Sequence, residues 1–171
     1  MRKILFSLAF LAMSILSYSQ SPWVKLTFDE RVSFQVPDSL MKIDMEQVEV
    51  YTLVADDSSS YTVTIIDFVN FGLDSAMIQS MADTDAFEEQ FKTGFMGQME
   101  GSEMVSSTRG KLQKFTTYLF DLNYKSEGTG EMEKMYVYSV FVGSKVYSFT
   151  YSALNPSNTI KDKFFQSVKV D

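Results

Sequence analysis

The chain contains no cysteine and no histidine. The first absence excludes disulfides, thiolate metal sites and cysteine nucleophiles. The second excludes Ser-His-Asp and Cys-His catalytic arrangements and imidazole metal ligation. Only three prolines and eight glycines are present, which leaves no compositional linker. Basic residues are outnumbered, 15 against 22 acidic. Such a surface repels nucleic acid and anionic membrane, both of which require a positive face. Asn155-Pro156-Ser157 carries proline at the forbidden position of a glycosylation acceptor.

The longest apolar run, Ile4 to Leu16, has 13 residues. A spanning helix needs roughly 20. Arg2 and Lys3 precede that run, and Ser17-Tyr18-Ser19 follows it with small residues suited to cleavage before Gln20. This is the layout of a secretory signal peptide. The expectation is therefore a signal over 1–19 and one exported domain over 20–171, periplasmic or extracellular. No cysteine stands after the run to take a lipid, and no membrane span is expected after cleavage. The mature chain has about 152 residues, enough for one ordinary core. It loses two basic residues and carries a net charge of about −9.

The remaining pattern alternates between strand and helix periods. Trp23 to Phe28 and Val32 to Val36 read as strands, the second ended by Pro37. Residues 48–68 read as a hairpin around the turn cluster Asp56-Asp57-Ser58-Ser59-Ser60. Asp74 to Met81 reads as a short helix. Asp85 with Glu88 marks a second helix start, and Phe87, Phe91, Phe95 and Met99 form its apolar stripe. Strands follow near 103–109, 113–124, 134–142 and 145–152. Gly128 and Gly130 lie in one connecting loop, and Gly143-Ser144 makes a tight turn. Asn155-Pro156 opens a last helix, with Pro156 as its first residue, Ile160, Phe164 and Val168 inward, and Lys161 and Lys163 outward. A short strand closes at Val168 to Val170. Hairpin-joined strands with helices at two places predict an α+β fold, an antiparallel β-sheet covered by helices.

Three segments carry a family resemblance. They are Val32-Ser33-Phe34-Gln35-Val36-Pro37, Tyr61-Thr62-Val63-Thr64-Ile65-Ile66-Asp67-Phe68 and Asp162-Lys163-Phe164-Phe165-Gln166-Ser167-Val168. In order and type they resemble the PsbP-like superfamily, with its extrinsic photosystem subunit, a Ran-binding nuclear import factor and DcrB-type bacterial envelope proteins. The resemblance implies an α/β/α sandwich of PsbP-like type and binding or assembly roles in place of catalysis. Histidines that some relatives use for metal have no counterpart, so the resemblance carries no metal site and no cofactor to this chain.

Other motifs carry less. Ser39-Leu40-Met41-Lys42 matches S-x-x-K and Lys92-Thr93-Gly94 matches K-T-G, the pair used by penicillin-binding proteins. Here K-T-G falls inside a helical stripe, no S-D-N occurs, and the mature chain is too short for that fold. Asp56-Asp57 and Asp83-Thr84-Asp85 offer oxygen ligands without an EF-hand pattern, and read as a turn and a cap. Met96, Met99, Met104, Met132 and Met135 are irregularly spaced and read as core, not as soft-metal ligands. Asp67 and Asp121 stand within apolar strands, the candidates for a carboxylate hydrolase, which needs two acids facing one cleft.

The aromatic set Tyr136, Tyr138, Tyr147, Phe149 and Tyr151 shares one strand parity. Tyr136, Tyr138, Tyr147 and Tyr151 are the candidate ligand-binding residues, each with an apolar body and a polar tip. The function expected is an exported, non-enzymatic binding or accessory protein of the bacterial envelope, with a protein or small-molecule partner. Two alternatives are a small apolar-ligand carrier, with a pocket between sheet and helix, and the carboxylate hydrolase.

Overall fold

The structure is a computed structural model that describes residues 23–97, 99, 101–126 and 130–171. The expected signal over 1–19 and Gly128 lie outside the described residues. The strands are β1 (Val24–Phe28), β2 (Val32–Val36), β3 (Met41–Met45), β4 (Val48–Val54), β5 (Ser60–Asp67), β6 (Glu103–Leu112), β7 (Phe115–Lys125), β8 (Met132–Val142), β9 (Lys145–Ala153) and β10 (Lys169–Val170). The helices are α1 (Ser75–Met81), α2 (Asp85–Met96) and α3 (Asn158–Gln166), and a 3-10 turn spans Phe68–Phe71.

Seven strands form one antiparallel sheet in the order β3-β4-β5-β9-β8-β7-β6, and β1-β2-β10 form a second, small one. Alternation along each strand splits the core in two. Tyr61, Val63, Ile65, Tyr136, Val140, Tyr147, Phe149 and Tyr151 point to one face, where Val32, Phe34 and Val36 of the small sheet and Phe164 of α3 cover them. Tyr118, Phe120, Leu122, Val137, Phe141 and Val146 point to the other, under Ile78 of α1 and Phe87 of α2. The architecture is thus an α+β sandwich with the large antiparallel sheet in the middle.

The sequence signals appear with shifted ends. Phe87, Phe91 and Phe95 do lie on the sheet. The cap of α2 is Thr84, whose Oγ1 accepts from the Phe87 N–H at 3.3 Å, so Asp85 is the first helical residue and not the cap. Met99 packs against the same cluster from beyond the helix end. Pro156 is not the first residue of α3: Ser157 caps it, its Oγ accepting from the Ile160 N–H at 3.4 Å. Lys163 and Lys161 do not simply face out. Their ammonium groups sit over the Trp23 ring at 4.2 Å and the Tyr136 ring at 4.6 Å. The β6–β7 turn lies at Gln113-Lys114, with Gln113 in the left-handed region (φ 56), so β7 starts at Phe115. Strand β3 has no counterpart in the sequence reading.

A groove beside the last helix

Residues of β6, β7 and β8 and of α3 line a common space. The space between is a groove of about 460 Å³. Its floor is Leu119, Asp121, Tyr136 and Tyr138; its wall is Lys161, Phe165 and Val168. Strand pairing sets the floor. Asp121 stands directly opposite Tyr136, and Leu119 opposite Tyr138, so all four share one face. Phe165 reaches down from α3 to the Tyr138 ring, with centroids 5.7 Å apart.

Asp121 is the chemically distinctive group. Its Oδ1 is buried and makes no hydrogen bond to any described residue. A carboxylate oxygen held from water without a donor is costly, which marks an unmet demand in an otherwise apolar floor. Lys161 stands nearby but is engaged elsewhere: its Nζ donates to Asn158 Oδ1 at 3.3 Å, lies 3.6 Å from Asp162 Oδ1, and covers the Tyr136 ring. Burial pushes the Tyr136 phenol up, and the Asp121 charge adds to the rise. Burial also raises Tyr138.

The four candidate tyrosines divide. Tyr136 and Tyr138 line the groove. Tyr147 and Tyr151 are buried in the core beneath the small sheet and α3. The Tyr147 hydroxyl donates to Asp29 Oδ2 at 2.5 Å, and that of Tyr151 accepts from the Ser157 N–H at 3.4 Å. The Tyr151 ring still supports the site from behind, stacked on Tyr136 at 6.5 Å. Its place within an apolar strand marks Asp121 in the sequence, and pairing parity could have joined it to Tyr136. Phe165 and Lys161 carry no site signal in the sequence, because only the tertiary fold brings α3 beside β7 and β8.

Asp67 does not meet Asp121. Six residues along the strands and three strands across separate them in register, roughly 20 Å by roughly 14 Å. Asp67 instead caps the 3-10 turn, accepting from the Val69 N–H at 3.1 Å and the Ser144 hydroxyl at 2.9 Å. It borders a smaller depression of about 260 Å³ with Glu49 and Lys145. Asp57 accepts from the Ser59 N–H and hydroxyl, Asp83 pairs with Lys111, and Asp85 pairs with Arg109. Among the described residues no three acidic side chains converge as a metal site. Lys92, Thr93 and Gly94 lie within α2, and Ser39 precedes a strand, so S-x-x-K and K-T-G do not build a penicillin-binding centre. Met96, Met99, Met104 and Met135 pack against the core, while Met132 is exposed.

No protein-family model and no curated protein sequence matches the chain. Solved structures do match by fold. A cyanobacterial PsbP from Synechocystis sp. PCC 6803 superposes with a TM-score of 0.53 at 12% identity, covering 91% of this chain and 96% of that one. A Bacteroides thetaiotaomicron structure gives 0.53 at 10% identity and covers 90% of this chain. This chain spans about half the length of that protein, 49%. The fold is therefore PsbP-like, as the resemblance implies.

Proposed function

We propose that residues 20–171 form an exported, non-enzymatic binding domain of the bacterial envelope, whose ligand lies in the groove between α3 and strands β6–β8. The observation that carries this reading is the unpartnered Asp121 Oδ1 in an aromatic floor. A protonated amine on an apolar body answers both features. Charge-assisted hydrogen bonds to a carboxylate are the strong ones, and tyrosine rings attract cations. Tyr136 already holds one, the Lys161 ammonium. The acidic balance of the chain further favours a cationic ligand. The groove is larger than the roughly 300 Å³ that a small-ligand site needs. It opens at the surface and is not a sealed apolar cavity, which favours a capture site over an enclosed carrier. Binding is favoured over hydrolysis because the two strand-borne acids lie far apart and the chain has no histidine or cysteine to complete a nucleophile.

The test is an NMR titration of the mature protein with tyramine and with 4-ethylphenol, which share a body but differ in the ammonium. Tyramine is expected to bind more tightly, with shifts at Tyr136, Tyr138 and Lys161, and Asp121→Asn is expected to abolish the difference. Equal binding of both probes, or shifts elsewhere on the surface, would count against the reading.

A further inference from the structure

Strand β3 ends the large sheet and pairs with β4 on one side only. All five of its residues are exposed. Met41, Ile43 and Met45 are 65%, 40% and 59% exposed, an unusual load of apolar surface for a free edge, where unpaired backbone groups already invite a further strand. These three point to the face that carries α1 and α2. Those helices cover the other half of the sheet and leave β3 exposed, with Val48, Val50 and Thr52 of β4 half-buried and Val54 69% exposed beside it. Lys42 and Asp44 point to the opposite face.

The sequence of the strand, Met41-Lys42-Ile43-Asp44-Met45, is complementary to itself. Laid antiparallel against a second copy about Ile43, it sets Ile43 on Ile43, Met41 on Met45, and Lys42 on Asp44 twice. The charge pattern within one chain leaves that arrangement open. Asp44 stands directly opposite Glu49 in the β3–β4 register, a like-charge pair. Lys42 is shared between both acids, at 3.6 Å from Asp44 and 3.7 Å from Glu49, and the Tyr51 hydroxyl also donates to Glu49 Oε2 at 2.7 Å. A second copy brings another lysine against the free side of Asp44.

We propose that β3 is a self-complementary docking strand through which two copies of this chain form a two-fold dimer, joining two seven-stranded sheets into one. Such an interface is isologous, each residue meeting its partner by symmetry. One five-residue strand buries less than the roughly 1,600 Å² of a standard interface, so the dimer is a weak, concentration-dependent one. The Met-rich, uncovered faces of both β3–β4 hairpins then become continuous.

Sedimentation velocity on the mature protein from about 10 µM to about 1 mM tests this, with the wild type, Lys42→Asp, Asp44→Lys and the double exchange. Both positions are exposed, and circular dichroism checks that each variant stays folded. The wild type is expected to move from monomer towards dimer mass. Each single reversal opposes like charges at two symmetric places and is expected to weaken the dimer at least about tenfold. The double exchange restores it. An equimolar mixture of the two single variants also restores it, because each then supplies the charge the other lacks. A wild type that stays monomeric throughout overturns the proposal. So does a dimer indifferent to the reversals, or a mixture that associates no better than its components.

Discussion

The Ser167 hydroxyl accepts a hydrogen bond from the Gln35 backbone N–H at 2.8 Å, across 132 residues of chain. The same hydroxyl donates to the Phe164 carbonyl at 2.6 Å, closing the end of α3. Phe164 itself is buried among Phe34, Tyr61 and Phe149. Two of the three segments that carry the family resemblance are therefore partners in space. The serine ties the helix end to the small sheet, and the phenylalanine seals the layer beneath.

Ser167→Ala is expected to lower stability by about 1 kcal/mol, since water can reach the exposed Gln35 N–H once its partner is gone. Urea unfolding measures it. A variant as stable as the wild type would mean the tie is dispensable.

Ser139 and Ser148 face each other across β8 and β9 on the helix-covered side, with their hydroxyls 2.8 Å apart and both residues buried. Removing one leaves the other without its partner, at a cost of about 1–3 kcal/mol. Removing both is expected to cost no more than either single change. A double-mutant cycle decides it, and additive losses would contradict a direct pair.

In the groove, Lys161→Ala is expected to tighten tyramine several-fold, because it removes the cation that occupies the Tyr136 ring. Phe165→Ala is expected to weaken the same probe while leaving the melting temperature nearly unchanged, for Phe165 is only partly buried. Its neighbour Phe164 behaves oppositely: Phe164→Ala is expected to cost about 3–5 kcal/mol of stability. Calorimetric titration and thermal melting separate the two. A weaker tyramine complex in Lys161→Ala would show that the lysine helps to hold the ligand.

Stability is expected to be level from about pH 5 to about pH 9 and to fall on both sides. Without histidine or cysteine, no side chain titrates ordinarily in the middle of that window. On the acid side, the Lys145 ammonium and Tyr147 hydroxyl hold Asp29 below the usual carboxylate range, and Lys111 and Thr116 do so for Asp83. Depressed acids contribute stability above their unfolded pKa, about 4, and lose it as pH drops through the folded value. On the alkaline side, burial pushes Tyr61 and Tyr118 up to about 12. Their contribution is intact below the unfolded value of about 10 and is lost as pH rises towards the folded one. Melting temperatures across pH check both limbs. Asp29→Asn with Asp83→Asn should flatten the acid limb, and because Asp29 also helps to raise the Tyr147 phenol, the first change should alter the alkaline limb as well.

Much of the fold was legible in the chain, because local rules govern it. Alternation in Val32–Val36, the β-branched run of residues 61–67, the Phe87, Phe91, Phe95 stripe and the Gly143 turn each follow from local backbone geometry and side-chain type. Strand β3 was missed although Met41, Ile43 and Met45 alternate with Lys42 and Asp44, because five residues are a short signal and its apolar face packs on no core. The cap positions shifted for a similar reason: Thr84 and Ser157 were chosen by hydroxyl geometry, which a run of polar residues leaves ambiguous.

The sequence by itself determined the α+β class, the aromatic strand faces and the lack of histidine and thiol chemistry, all of which are properties of composition and period. Only the tertiary structure decided that Asp121 sits under α3 with Tyr136, Tyr138 and Phe165 while Tyr147 and Tyr151 pass into the core. The reason is that strand order and the crossing of a helix over a sheet are long-range outcomes. Residues of one parity share a face, but which part of that face is covered depends on distant elements: α3 follows Asp121 by about 40 positions, and the small-sheet strand β2 precedes Tyr147 by more than a hundred.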